Sequence, residues 1–194
     1  MSKISAEKLN KQVFILNGTG GCGKNTFVNF IKDKYRTKHI SIVDYVKSVA
    51  MNLGWDASVK TEKDRIFLSE LKIVLEEYND SPYQAVKKEV EKFQQDNVTK
   101  FLFIDMRSDY DIERAVKEFD AITVFVENNN VDDIISNVAD SVVRNYNYDY
   151  IIENNGTLDE LKETSLFFID LFIKTPSSIF IDDFLKNTQN KINI

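Results

Sequence analysis

Residues Gly18, Thr19, Gly20, Gly21, Cys22, Gly23, Lys24, Asn25 and Thr26 are the stretch whose types and spacing speak most directly of chemistry. Glycines let a backbone wrap so that successive N–H groups point inward at an anion, and a helix behind them adds its dipole. Lys24 brings a full positive charge to the terminal phosphates. A phosphate-binding P-loop asks for a glycine, four residues, then Gly-Lys and a hydroxyl residue. Gly18 and the Gly23-Lys24 pair fit that pattern, whereas Asn25 takes the usual hydroxyl place and Thr26 follows it. Thr26 is then the hydroxyl at the start of the helix that would coordinate Mg²⁺. The competing reading is a glycine-rich turn that binds nothing. A turn does not need four glycines, and a lysine at a helix N-terminus is electrostatically unfavourable, so phosphate binding is expected.

Other residues extend this chemistry. Asp105 ends an apolar run, where an acid either holds a Mg²⁺-bound water near the phosphates or merely caps the next helix. Phosphoryl transfer spreads negative charge over equatorial oxygens, so cationic donors supply most of its catalysis. The chain has five arginines, Arg36, Arg65, Arg107, Arg114 and Arg144. Arg107 lies two residues past Asp105, at the carboxyl end of a strand, where ligands bind in open α/β sheets. Arg65 has Glu62 and Asp64 beside it for an exposed salt bridge. Asp44 and Lys47 read from the residues alone as a solvated first helical turn. His39 reads as structural. Cys22 reads as packed away from the loop, with a thiol activated by the helix N-terminus as the alternative. Trp55 is either core or a face for stacking on a base. The aromatic runs 101–103 and 167–172 read as core.

Composition closes off other chemistries. One histidine and one cysteine in 194 residues preclude an internal disulfide and leave almost no ligands for a Cys/His zinc site. Twenty-five Lys and Arg against 31 Asp and Glu, net charge −6, argue against binding a nucleic-acid polymer. The sequence opens on no signal-peptide pattern and carries no apolar run of about 18 residues, so neither export nor a membrane is expected. The expectation is a soluble cytoplasmic domain, with homodimerisation left open.

These residues need elements to position them. Gln12 to Asn17 is a short apolar run before the loop, read as a buried strand, and Phe27 to Tyr35 has helical spacing. A second strand is expected over His39 to Ile42, then a helix up to Gly54. Glu62 to Tyr78 is amphipathic. Ser81, Pro82 and Gln84 suggest a capping box opening a helix to Gln95. Lys100 to Asp105, Ala121 to Val126 and Tyr148 to Ile152 read as further strands. Ser108 is expected to cap a helix through Phe119, and Thr157 with Glu160 to box one reaching Lys174. Five strands alternating with helices imply a parallel sheet covered on both faces, a three-layer α/β fold. The main domain is expected over 1–176, with a short amphipathic helix and frayed end over 177–194.

The spacing Gly-x-x-Gly-x-Gly-Lys-x-Thr, with its hydroxyl one place late, resembles that of P-loop nucleoside monophosphate kinases. It is most similar to phage-type deoxynucleoside monophosphate kinases, themselves similar to dephospho-coenzyme A kinases. Asp44-Tyr-Val-Lys47 resembles their Asp-x-Leu-Lys segment, and Ile104-Asp105-Met-Arg107 their Asp-Val-Arg strand end. Asp149-Tyr-Ile-Ile-x-Asn154-Asn-Gly-Thr-Leu-x-Glu-Leu161 resembles the last strand and helix cap. The resemblance spans roughly 12–165 and implies a P-loop NTP hydrolase-type fold with a helical acceptor-binding lobe over 43–98 and a lid over 127–148. It implies ATP and Mg²⁺, and a small phosphorylated acceptor held by Asp44, Lys47, Arg65 and Arg107. The alternatives are a dephospho-coenzyme A kinase-like enzyme with a hydroxyl acceptor, or an ATP-binding module with weak catalysis. The lid departs from the family pattern, because between Glu127 and Tyr148 Arg144 is the one basic residue.

Overall fold

The structure, a computed structural model, describes residues 11–58, 61–130 and 143–173. Strands β1 (Gln12–Asn17), β2 (Thr37–Ser41), β3 (Phe101–Asp105), β4 (Ile122–Glu127) and β5 (Tyr150–Glu153) form one sheet. Its order is β2-β3-β1-β4-β5 and all four pairings are parallel. The helices are α1 (Lys24–Lys34), α2 (Val43–Asn52), α3 (Glu62–Asn79), α4 (Ser81–Gln95), α5 (Asp109–Phe119) and α6 (Leu158–Leu171).

Strand side chains alternate between two cores, as the period of two requires. Val13, Ile15, Leu102, Ile104 and Phe125 point to the face covered by Tyr83, Val86, Val90 and Phe93 of α4 and Ile112 and Ala115 of α5. Phe14, Leu16, Phe101, Phe103, Val124 and Val126 point to the other face, under Phe27, Val28 and Ile31 of α1 and Leu161, Phe168 and Ile169 of α6. Near-continuous apolar runs in β1 and β3 follow from burial on both faces. The architecture is the three-layer P-loop α/β fold, with the glycine loop joining central strand β1 to α1.

Between β2 and β3 the chain makes a helical excursion. α3 has no buried residue and packs on α2 and α4. Its start is fixed by a capping box of Thr61 and Asp64 that the reading of residues overlooked. Trp55 is half-buried and donates its indole N–H to Asp64 Oδ1 at 3.1 Å. It therefore fastens the α2–α3 turn and is neither core nor a free face.

The box expected from Ser81 and Gln84 does not form. Asp80, at φ 56°, closes α3 and immediately starts α4, so Ser81 is already helical and too late to act as the cap. Gln84 instead reaches Asp80 Oδ2 at 3.2 Å, and the Ser81 hydroxyl has no hydrogen-bond partner among the described residues. Ser108 holds the N-cap place of α5 without a side-chain bond, while Thr157 and Glu160 make the box expected of them on α6. Among the described residues no helix is long and apolar enough to cross a membrane. The proposed terminal helix over 177–194 and most of the lid-like stretch lie outside the described residues.

Candidate phosphate-binding site

The loop is held at both ends by asparagines. Asn17 is 1% exposed; its Oδ1 accepts the Gly18 N–H at 2.8 Å and its Nδ2 donates to the Tyr148 hydroxyl at 2.8 Å. That hydroxyl in turn donates to the Val143 carbonyl at 2.8 Å. Asn154, in the turn after β5, donates to the Cys22 carbonyl at 2.9 Å.

Glycine is required where the chain bends most. Gly18 has φ +146°, and a Cβ there would lie 2.2 Å from the Val126 carbonyl oxygen. Gly23 has φ +100°, and its Cβ would meet Asn154 Nδ2 at 2.4 Å. Both conformations are left-handed, and both positions lack room for any side chain. α1 then begins at Lys24 with no side-chain cap and no acid in its first turn, unlike α3 and α6. Its first N–H groups and the positive end of its dipole face the loop uncompensated.

Lys24 folds over this loop, its Nζ donating to Gly18 O at 2.6 Å and Thr19 O at 2.8 Å and lying 3.5 Å from Cys22 Sγ. Gly20 is half-buried and Gly21, at φ 79°, is exposed. Cys22 is 1% exposed and belongs to the aromatic core, as expected of a packed thiol. Asn25 is exposed and Thr26 half-buried. Thr19 is buried, and its hydroxyl has no hydrogen-bond partner among the described residues.

Asp105 stands at the carboxyl end of β3, in register with Leu16 of β1 and Ser41 of β2. Its Oδ1 lies 3.0 Å from His39 Nε2. Arg107 counts as exposed over the whole residue, yet crowding around its guanidinium removes enough water to lower its pKa. Asp105 and Cys22 oppose that shift and Arg65 adds to it, so these four side chains share one electrostatic neighbourhood. The guanidinium keeps its charge throughout.

The other expected contacts are more local. Asp44 accepts the Ser41 N–H at 2.8 Å and pairs with Lys47 at 3.1 Å within the first turn of α2. Asp44 also lines a groove of about 420 Å³ beside edge strand β2, with Tyr45, Pro82 and Val86, to which no loop residue contributes. Arg144 pairs with Glu127 at 2.9 Å and lies 5.9 Å over the Phe125 ring.

No protein-family model and no curated protein matches the chain. An unliganded sugar kinase from Janibacter sp. is similar to it in structure. The two have a TM-score of 0.50 and 9% identity, with 82% of this chain and 95% of the other covered. At that identity the likeness is one of fold. TT1252 from Thermus thermophilus aligns at TM-score 0.46, with 15% identity and coverage of 86% and 100%. A mutant of the Mycobacterium tuberculosis APS kinase CysC aligns at 0.41, with 8% identity and coverage of 83% and 98%.

Reading residues alone missed Asn17, Tyr148 and the bond from Asn154. A signal was present for the first, since a polar residue closing an otherwise apolar buried strand must find a partner. Nothing in the sequence announced that Tyr148, 131 positions away, would supply it.

Proposed function

We propose that the chain is an ATP-dependent P-loop kinase passing the γ-phosphoryl group to a small phosphorylated acceptor, a (deoxy)nucleoside monophosphate by preference. One observation carries this reading. Lys24 lies over a loop whose Gly18 and Gly23 admit no side chain, ahead of a helix N-terminus with neither cap nor acid. Such a cradle suits a chain of phosphates and little else.

In this reading the loop amides and Lys24 bind the nucleotide phosphates. Thr26 and Asp105 would hold Mg²⁺. Their hard oxygens fit it, and among the described residues no trio of His, Cys, Asp or Glu forms a dedicated metal cage. That agrees with an ion that takes one or two protein oxygens beside substrate phosphates and waters. When bound, the ion neutralises charge on the phosphates. Arg107 and Arg65 orient the acceptor phosphate, so positioning and fixed charge lower the barrier without covalent chemistry. Residues 43–98 would form the acceptor lobe of a domain over 1–176, and 127–148 the lid. Asp44 and Lys47 would reach the acceptor from the first turn of α2, where they pair with each other at 3.1 Å.

Titration calorimetry with ATP on the full chain and on Lys24→Ala tests the cradle. The expected result is binding by the parent and loss of at least roughly tenfold in affinity in the variant, since one charge-assisted contact is worth over 1.4 kcal/mol. Unchanged affinity overturns the reading. ADP release measured across nucleoside monophosphates, dephospho-coenzyme A and sugars then identifies the acceptor. ATP binding with no transfer to any of them favours a binding module, which the Arg144–Glu127 pair also supports: the lid's one basic residue is already engaged.

A further inference from the structure

His39 is the chain's single histidine, and the phosphate chemistry proposed above makes no use of it. The parallel register sets His39 beside Phe103 and Ser41 beside Asp105. Parallel partners share a face, so His39 and Asp105 project to the side of Phe101 and Phe103, where α1 and α6 pack. There His39 Nε2 lies 3.0 Å from Asp105 Oδ1, with the two side chains 12% and 26% exposed.

We propose that His39 is a positioning residue for Asp105: its Nε2–H donates to Oδ1 and fixes the carboxylate at the mouth of the phosphate loop. The proposal rests on the kinase reading, in which Asp105 has to keep one orientation beside the nucleotide. An ionised carboxylate is an acceptor only, so the contacting nitrogen must carry hydrogen, which assigns the tautomer. The bond engages Oδ1 and makes no demand on Oδ2. A half-buried carboxylate without such a donor would choose among rotamers and pay for incomplete hydrogen bonding. β2 flanks β3 on the side opposite β1, so placing the donor there orients Asp105 from the side away from the glycine loop. Groups that orient a ligating side chain in this way typically matter 10- to 100-fold for activity.

Because there is one histidine, nitrogen-15 NMR of the labelled full chain yields one imidazole, read without any assumption about turnover. The expected spectrum is the Nε2–H tautomer, perturbed by Asp105→Asn and again when Mg²⁺ is added to the ATP-saturated protein. In kinetics, His39→Phe should lower kcat by roughly 10- to 100-fold while the KM for ATP holds. His39→Gln, which returns an N–H close to the Nε2 position, should recover most of the loss. An Nδ1–H tautomer, or an imidazole unmoved by both changes, overturns the proposal. So does equal activity in His39→Phe and the parent, or no recovery in a folded His39→Gln. If the parent transfers phosphate to no acceptor, the kinase reading falls, and the imidazole spectrum still decides the role of His39.

Discussion

Asn154 donates to the Cys22 carbonyl at 2.9 Å, and the same nitrogen would stand 2.4 Å from a Cβ placed on Gly23. The turn after β5 thus braces the glycine loop from outside, and it does so at contact distance. Gly23→Ala meets two penalties, a left-handed φ of +100° and a collision with Asn154. It should lose about 1–3 kcal/mol of stability and weaken ATP binding. The collision is with a side chain and the φ is not, so Gly23→Ala combined with Asn154→Ala should regain part of the stability and little of the binding. Urea denaturation and calorimetry on the single and double variants check this. Additive losses would mean that the two residues do not touch.

Tyr148 carries a second brace. Its hydroxyl accepts from Asn17 and donates to Val143 O, and burial raises its pKa above the ordinary tyrosine value. Tyr148→Phe keeps the ring against Phe125, 4.9 Å between centroids, and removes both bonds. The buried Asn17 amide then lacks an acceptor, at about 1–3 kcal/mol. Denaturation midpoints should fall accordingly. ATP affinity should fall less than in Lys24→Ala, because the Gly18 N–H keeps its bond to Asn17 Oδ1.

The layers of this fold were legible because apolar runs mark strands buried on both faces, and a glycine loop followed by Lys24 marks its strand–helix junction. All five strands fall within two residues of their expected bounds. Local chemistry failed where two elements share a residue. Ser81 and Gln84 have the spacing of a capping box, yet Asp80 serves both α3 and α4 and takes the cap. In the site, residues adjacent in sequence were readable as a cradle. Partnerships across the sheet were not: His39 with Asp105 spans 66 positions and Asn154 with Cys22 spans 132. Those depend on strand order, which pattern alone leaves undetermined.

Arg114 ties three helices together. Its guanidinium grips both Asp80 oxygens, at 3.1 and 2.6 Å, and stacks 3.7 Å above the Tyr83 ring centroid. The hydrogen bonds from Arg114 hold the Asp80 carboxyl below its ordinary pKa. A depressed carboxyl contributes stability above its unfolded pKa of about 3.9 and loses it as pH falls through the lower folded value. Arg114→Met should therefore cost about 1–2 kcal/mol at pH 7, after discounting for partial exposure. That is a fall in Tm of roughly 2–8 °C for a chain of this size. The difference from the parent should shrink as pH falls below about 4, and thermal melts at several pH values measure it. A gap that stays constant down to low pH would remove the ion pair from the explanation.

The single cysteine makes the packing of the loop measurable. Cys22 Sγ would lie 2.7 Å from a Cβ on Gly18, and the residue is 1% exposed among Phe27, Phe103 and Leu161. Lys24 Nζ is 3.5 Å away, but burial leaves an attacking reagent no path to the sulfur. The thiol should therefore react with a disulfide reagent far more slowly in the native protein than in urea, with one equivalent released at completion. Adding ATP should slow it further, because an occupied loop opens less often. Cys22→Ala should bind ATP within a few-fold of the parent, since the loop uses the backbone of residue 22 and not its sulfur. Labelling at the unfolded rate without ATP would make Cys22 a solvent-facing thiol and would revive the activated-thiol reading of the sequence.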